Sequence, residues 1–396
     1  MNKENEKKRT SFSCVDYRKY MYCKLIWIDD GLAARGLTRP LLFIMVWMMG
    51  MVSFGLISFV MSTQNKARLD NLRSFLLESM VTMSIFNEYM SRKSLAQLHQ
   101  FMDESMRTSR TELREEEEIL ETAKSQARKH LAAYIVIFSF NLAAMILSQP
   151  LAEWLQGNSW KKLPYPWVVP PSNTEFMFWI VFLYQSIGLY FSHCLGMVIM
   201  SFSSITIQVT ALFDVLLLSL RHIEARAKVR MEREGTDYIT SITDCLKDDV
   251  VHHQRLVSEL VSATPHLRRT FFALSVTISM IMACEAYPLI MGNFTLGELI
   301  KGLLFLVVQF MCWGQMCTRM EIMADQNSEV FHALYNTPWY SSGLKYKKLM
   351  VTPLTFSRHS MYIKSPLFTE MSATMSTFYS FVVSSFNILN LIRKMK

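Results

Sequence analysis

Residues 176–219 read FMFWIVFLYQSIGLYFSHCLGMVIMSFSSITIQVTALFDVLLLS, and Asp214 is the one charged residue among them. As a single helix this stretch would extend for about 65 Å, whereas the hydrocarbon core of a bilayer is about 30 Å thick. The stretch therefore either crosses a membrane twice or crosses it once and continues as a helix beyond it. The rest of the sequence decides between these arrangements.

Six other apolar runs have the length of a membrane span, for which about 20 helical residues are needed. They are Leu41–Met61, Leu72–Met90, Leu131–Leu151, Phe271–Met291, Leu296–Cys317 and Phe368–Ile392. Apolar residues make up 51% of the 396-residue chain and charged residues 19%, with the charges in blocks between the runs. This pattern predicts an all-α integral membrane protein.

The basic residues indicate the topology. If residues 176–219 cross the membrane once, 32 of the 41 Lys and Arg residues lie on one side, in residues 1–40, 92–129, 221–269 and 319–364. Because cytosolic segments carry an excess of Lys and Arg, we predict seven spans with a cytosolic N-terminus and an extracellular C-terminus. A second crossing before Arg221 would put nine basic residues on the wrong side.

The spans divide the chain into four parts. We predict a cytosolic N-terminal segment (1–40), transmembrane helices one to four with a cytosolic helix at 91–130 (41–220), cytosolic helices (221–270), and transmembrane helices five to seven (271–396). Charge pairs with helical spacing are predicted at Arg114–Glu118 and Glu121–Lys124. An apolar stripe predicts packing against the chain itself or a neighbouring subunit; it consists of Leu246, Val250, Val257, Leu260 and Val261.

Several functional classes are disfavoured by missing features. The sequence has no HExxH, GxSxG or phosphate-binding glycine motif, and its one adjacent histidine pair, His252 and His253, does not face one direction on a helix. We therefore expect no enzyme, no metal site and no other cofactor. Basic residues alternate with spans instead of forming a stripe, which argues against a nucleic-acid partner. A transporter would show repeats or broken helices at matching positions.

Two further features concern the spans and their borders. Glu78, Glu285 and Glu298 lie toward the outer ends of their spans, where interfacial water is a simpler explanation than an ion pathway. Asn293-Phe294-Thr295 is a glycosylation sequon on the predicted outer side, so Asn293 is a candidate acceptor.

The last span is polar along one side. Thr377, Ser380, Ser384 and Asn387 follow each other at helical spacing, and the adjacent face carries Ser385, Leu389 and Ile392. Polar groups in a lipid-embedded helix should face protein or water. The helix therefore either packs on other helices through small residues or lines a pore with a hydrophobic constriction.

Over its whole length the sequence resembles the insect odorant receptors. The C-terminal quarter carries the sharpest likeness, to the family's acidic–Ala–Tyr–Trp segment and to its terminal small–small–aromatic stretch followed by leucines. The corresponding residues are Glu329, Ala333, Tyr335 and Trp339, then Ser384, Ser385, Phe386, Leu389 and Leu391. The chain is too short for the family's shared co-receptor and looks like an odour-tuning subunit.

The resemblance implies a ligand-gated non-selective cation channel in the plasma membrane of a sensory neuron dendrite, formed as a heterotetramer with the co-receptor. Residues 221–270 would anchor the subunits to one another. Pore-lining positions would be Ser385, Leu389, Ile392 and Arg393. A small volatile ligand would bind in the outer half of spans two, three, four and six, at Phe75, Met80, Met83, Phe138, Asn141, Met145, Phe178, Val181, Tyr184 and Phe305.

Plain packing or lipid contact is the alternative for each of these ligand-site residues, among which Tyr184 and Asn141 offer hydrogen bonds. Two other functions stay open. A gustatory-type receptor channel would act without the co-receptor, and its soluble ligands fit poorly with so few polar residues. A non-channel membrane transporter or enzyme would act without ion flux, but the motifs for it are missing.

Overall fold

The computed structural model describes residues 38–61, 65–106, 114–155, 157, 175–291, 296–357, 362–364 and 372–394, in parts of the helices by the backbone alone. These residues form nine helices: α1 Thr38–Met61, α2 Asn65–Ser105, α3 Arg114–Leu155, α4 Glu175–Arg221, α5 Ile223–Glu234, α6 Tyr238–Met291, α7 Leu296–Tyr335, α8 Leu344–Ser357 and α9 Met375–Lys394. The all-α prediction is confirmed, and the seven spans fall on α1, α2, α3, α4, α6, α7 and α9. Residues 1–37 and Asn293 lie outside the described residues.

Helix α4 resolves the ambiguity of its sequence, because it runs without interruption for 47 residues. In its second half, Ser203–Arg221, 89% of the residues in the most apolar stretch are buried inside the chain. In the most apolar stretch within Arg114–Leu147 only 28% are buried, so most of its residues face outward. Protein therefore covers the second half of α4, as expected for a helix that crosses a membrane once and continues beyond it.

The second half of α4 lies in a helical body that we call the polar half, comprising residues 91–106, 114–130, 203–270 and 319–357. The predicted apolar stripe of α6 packs into it: Leu246, Val250 and Leu260 are buried. Val261 is 57% exposed, so within the chain it has no buried position, and packing of this residue on a neighbouring subunit stays a prediction. It follows Leu260 directly and is rotated by about 100° away from the buried face.

Helix α3 enters the polar half with a charged surface. Arg114 Nε lies 3.2 Å from Glu118 Oε1, and Lys124 Nζ lies 2.8 Å from Glu121 Oε1, which confirms both predicted pairs. Such pairs on an exposed helix surface each contribute about 0.2–0.5 kcal/mol. They support the helix without deciding where it packs.

Side-chain hydrogen bonds join α2 to α6 where the polar half begins. Asn87 Nδ2 donates to Thr270 Oγ1 at 2.7 Å and to the His266 carbonyl oxygen at 3.2 Å. One turn further along α2, Arg269 Nη2 donates to Ser91 Oγ at 2.9 Å. Because Asn87 and Ser91 are buried, these bonds satisfy groups that would otherwise cost free energy in the interior.

A buried ion pair holds α4, α5 and α6 together. Arg226 Nη1 of α5 lies 2.9 Å from Asp249 Oδ2 of α6, and Ser219 Oγ at the end of α4 donates to Asp249 Oδ1 at 2.5 Å. Burial raises the pKa of Asp249, and the charge of Arg226 opposes that rise. Charges removed from water are tolerated when they are paired and hydrogen-bonded, as here.

The first prediction concerns this ion pair. Asp249→Ala leaves the Arg226 guanidinium buried without its carboxylate and should lower the free energy of unfolding by about 3–5 kcal/mol. The matched control is Asp248→Ala. Asp248 is 61% exposed where it pairs with Arg230, so its loss should cost less than about 1 kcal/mol. Thermal unfolding of the purified protein in detergent measures both, and equal shifts for the two variants would contradict the prediction.

A buried histidine joins α6 to α7. His253 Nε2 lies 3.3 Å from Asn327 Oδ1, and both residues are within the interior. Burial lowers the pKa of His253, while the hydrogen bond to Asn327 opposes that decrease. The folded protein therefore favours the neutral ring, and the unfolded chain is protonated first as the pH falls through about 6.5.

The second prediction follows from the sign of that pKa shift. Since the unfolded state binds more protons below about pH 6.5, the stability of the protein should fall between about pH 7.5 and pH 5.5. His253→Gln keeps a side chain that can bond Asn327 and should flatten this pH dependence. Melting temperatures across a pH series measure the effect. The prediction fails if His253→Gln keeps the slope of the wild-type protein.

Helix α9 begins at Met375, later than the predicted span start at Phe368. Before it, the Ala373 N–H donates to the Ile363 carbonyl oxygen at 2.8 Å, and Lys364 pairs with Ser372 in an antiparallel bridge. This pairing commits residues 372 and 373 to an extended path. Thr374 then caps the helix, because its Oγ1 accepts the Thr377 N–H at 3.3 Å.

Candidate ligand site and last helix

The remaining helical residues, 38–61, 65–90, 131–155, 175–202, 271–291, 296–318 and 375–394, form what we call the apolar half. Close crossings of α1 with α4 and α2 shape it. A Cβ atom on Gly50 would stand 2.7 Å from Tyr184 Oη, and one on Gly55 would stand 3.3 Å from Phe75 Cα. Small residues at helix crossings allow such close approach between backbones in membranes. Helix α1, which was assigned no ligand contact from the sequence, therefore covers one side of both Phe75 and Tyr184.

Tyr184 lies among aromatic rings of α1. Its ring centroid is 4.5 Å from that of Trp47 and 6.1 Å from that of Phe54, at tilted and edge-on angles. Such angles are favourable because ring edges and ring faces carry opposite partial charge. Glu78 of α2 is 0% exposed.

Helix α3 contributes one buried face to the same interior. Phe138, Asn141 and Met145 are 6%, 3% and 2% exposed, and their spacing places them in one row along the helix. Phe138 and Met145 belong to one continuous apolar cluster, against which Phe75 and Tyr184 pack. The structure thus groups these five predicted ligand-site residues in the interior of the bundle.

The other predicted ligand-site residues are placed differently. Met83 is 54% exposed on the outside of the chain. Phe178 packs against Trp179 and Phe182, with ring centroids 5.5 Å and 5.9 Å away, and Val181 is half-buried. Met80 and Phe305 lie in α2 and α7, and their side chains are outside the described residues.

Two buried polar residues of the apolar half were not predicted as part of the site. Glu78 was expected to reach interfacial water, but it is fully buried because α1 covers this side of α2. Gln185, next to Tyr184, is also 0% exposed. An acid within a span was the available signal for Glu78, whereas the sequence held no signal that would have singled out Gln185.

The last helix has two unlike sides. On one side Phe378 and Phe381 pack on Trp313 of α7, which is fully buried, with ring centroids 5.3 Å and 4.3 Å away. On the other side Ser380, Ser384 and Asn387 of the predicted polar row are exposed, while Thr377 is half-buried. The side chains of Ser385, Leu389, Ile392 and Arg393 lie outside the described residues, so their pore-lining role stays a prediction.

These features define a class of protein. Apolar and aromatic walls with a few buried polar groups are typical of sites for small, mostly apolar molecules. Among the described helices that form this interior, α3 is long and apolar enough to cross a membrane, and α1 and the start of α4 carry shorter apolar stretches. The fold and site are those of a multi-pass helical membrane receptor.

Comparison with known proteins identifies the family. The family described as 7tm Odorant receptor matches residues 64–386. The curated protein "Putative odorant receptor 85d" of Drosophila melanogaster is 19% identical over 240 residues, which are 60% of this chain and 56% of that protein. The chain thus aligns with little more than half the length of this relative. It belongs to the seven-transmembrane odorant receptor family, whose members are receptors rather than enzymes.

Solved structures share the fold over nearly the whole chain. Olfactory receptor OR5 from the insect Machilis hrabei matches with a TM-score of 0.75 at 12% identity, covering 96% of this chain and 99% of that one. The same receptor in complex with eugenol matches with a TM-score of 0.76 at 13% identity, covering 96% and 98%. The resemblance stated from the sequence is confirmed.

The third prediction tests the α1–α4 crossing beside the candidate site. Gly50→Ala would push its methyl group against Tyr184 Oη and should weaken the odorant response, with a concentration for half-maximal response raised roughly fivefold, about the worth of one hydrogen bond. The double variant Gly50→Ala/Tyr184→Phe removes the contacted oxygen and should behave like Tyr184→Phe alone. Odorant dose–response curves of expressing cells measure this.

The control for this test is Ser53→Ala, an exposed position one turn along α1. It should leave the dose–response curve unchanged. If the half-maximal concentration of the double variant differs from that of Tyr184→Phe as much as that of Gly50→Ala does, the contact between α1 and α4 does not position Tyr184.

Proposed function

We propose that this chain is the odour-tuning subunit of a ligand-gated, non-selective cation channel in the plasma membrane of a sensory neuron dendrite. It would assemble with a shared co-receptor into a heterotetramer. The observation that carries the proposal is the exposed polar row of α9 in a chain of the odorant receptor family.

The polar row supports a pore because hydrocarbon is a poor environment for it. Ser380, Ser384 and Asn387 are exposed in the single chain, and polar groups within membrane helices face protein or water. Helices α9 of four subunits arranged around an axis would supply both. Leu389 would then form an apolar gate, with Ser385 on the way to it and Ile392 and Arg393 further out, and opening would rehydrate the gate.

The ligand proposal rests on the buried cluster of the apolar half. A small volatile molecule would contact Phe75, Phe138 and Met145, while Asn141 or Tyr184 would bond a hydroxyl or N–H group of the ligand. Olfactory receptor OR5 from Machilis hrabei, which shares the fold, is solved in complex with eugenol, and this supports a small-molecule ligand. Phe178, Val181, Met80 and Phe305 would complete the site from α4, α2 and α7.

The orientation proposal rests on the basic residues. Placing residues 1–40, 92–129, 221–269 and 319–364, which include most of the polar half, in the cytosol puts 32 of the 41 Lys and Arg residues there. Residues 221–270, which hold the Arg226–Asp249 ion pair, would then form the cytosolic anchor between subunits. The apolar half would then lie within the membrane, with the sequon at Asn293 and the end of α9 on the outer side.

The fourth prediction is the current itself. Whole-cell recording from cells expressing this chain with the co-receptor, during application of volatile aromatics, alcohols and esters, should give a rapid inward cation current that needs both chains. Current from this chain alone would favour the gustatory-type channel. Absence of current, with both chains confirmed at the surface, would contradict the channel proposal.

Substitutions of Leu389 refine the same measurement. Leu389→Ser introduces a polar group at the proposed apolar gate and should raise the current measured before ligand is added, because a wetted constriction conducts. Leu389→Met keeps the apolar character and similar volume and should behave like the wild type. If Leu389→Ser leaves the basal current unchanged while Asn387→Leu changes it, the polar row rather than Leu389 lines the narrow part of the pore.

A further inference from the structure

A carboxylate of α7 caps the first turn of the last helix. Glu321 Oε2 accepts the backbone N–H of Met375 at 3.0 Å. The first N–H groups of a helix have no acceptor within the helix, and a negative charge near them is favoured by the helix dipole. Thr374 Oγ1 satisfies the Thr377 N–H from within the same segment, so Glu321 is the acceptor that comes from another helix.

The same stretch of α7 holds the next turn of α9. Trp313 packs edge-on against Phe378 and Phe381, and Thr318 Oγ1 lies 3.0 Å from the sulfur of Met375. A third tie precedes the helix, where the Tyr362 hydroxyl donates to Asp325 Oδ1 at 2.9 Å. Residues 313–325 of α7 therefore fix the start of α9 by packing, by the cap and by the segment before it.

Helix α7 also contacts the helices that carry the candidate ligand site. It packs along α3 and α4, which hold Phe138, Asn141, Met145 and Tyr184. A displacement of α7 caused by a ligand would thus reach the first turn of α9 directly. The later turns of α9 contain the proposed gate.

We propose that Glu321 is a positioning residue for gating, which couples movement of α7 to the last helix through its bond to the Met375 N–H. This inference rests on the proposed channel function. The cap lies at a partly exposed site, since Met375 is 39% exposed and Glu321 is half-buried. Its loss should therefore alter the position of α9 more than the stability of the core.

Proline at position 375 gives a direct test of the cap. Met375→Pro removes the N–H that Glu321 accepts, yet proline is well tolerated at the first position of a helix, where its fixed φ angle fits. The preceding residue, Thr374, is an N-cap residue, whose extended backbone is also the one that proline prefers before it. Met375→Leu keeps the N–H and serves as the matched control.

The experiment is a double-mutant cycle on ligand-evoked current, normalised to the amount of receptor at the cell surface. Glu321→Ala and Met375→Pro should each raise the half-maximal ligand concentration roughly fivefold, which corresponds to about 1 kcal/mol. The double variant should show no further change, because both substitutions delete one bond. Glu321→Gln, which keeps an acceptor without the charge, should be intermediate.

Two controls exclude a simple effect of charge near the conducting path. Asp325→Asn removes an equal charge one turn further along α7 and keeps an acceptor for Tyr362, so it should leave the half-maximal concentration unchanged. Met375→Pro alters no charge, so an effect of Glu321 on permeating ions alone would not be reproduced by it. The proposal would be overturned if the double variant raised the half-maximal ligand concentration by the product of the two single effects. It would also be overturned if Met375→Pro and Met375→Leu had the same half-maximal concentration.

A second readout separates this inference from the channel proposal. In the purified full-length chain, hydrogen exchange of the amides at 375–379 should be several-fold faster in Glu321→Ala than in the wild type, as expected when a helix terminus loses a cap. Unchanged exchange would overturn the cap whether or not current is seen. Absence of ligand-evoked current in the wild type, together with faster exchange in the variant, would contradict the channel function and leave the cap in place.

Discussion

The structure depends on one constraint, which is that backbone polar groups inside a bilayer must be satisfied within the protein. Spanning segments are therefore helical, and several of these helices continue well past a bilayer thickness. Helix α6 runs for 54 residues and α4 for 47 without a break. The same continuous helices therefore run through the apolar half and the polar half, so a displacement of a helix in one half is carried into the other.

The polar half fixes one end of these long helices. The second half of α4 is covered by protein, and its last turn meets α5 and α6 at the network of Ser219, Arg226 and Asp249. A largely buried ion pair that is also bonded by Ser219 tolerates little displacement, because separating its members would leave charges without compensation. The helices are thus held firmly at that end, while in the apolar half aromatic and apolar packing surrounds Tyr184 and the row on α3.

The sequence predicted those features that depend on local pattern. Apolar runs, charge spacing and the distribution of basic residues predicted helical spans, the pairs of α3 and the unbroken α4. The row formed by Phe138, Asn141 and Met145 was also accessible, because helical spacing alone places them together. Features that depend on which helix lies beside which were not accessible. The contact of Gly50 with Tyr184, the burial of Glu78 under α1 and the late start of α9, set by Ile363 pairing with Ala373, are of this kind.

The last helix combines both kinds of information. Its polar row could be predicted from the sequence. The side of the helix that packs on α7 could not, because it depends on Trp313 lying against Phe378 and Phe381. Aromatic packing restricts how far these turns can separate from α7, yet it is weakly directional and permits sliding or rotation. A hydrogen bond between the Glu321 carboxylate and one backbone N–H is directional, and so adds the orientation that packing leaves undefined. A helix held in this way at its first two turns can transmit a small rotation of α7 as a larger displacement at its far end, where the gate is proposed.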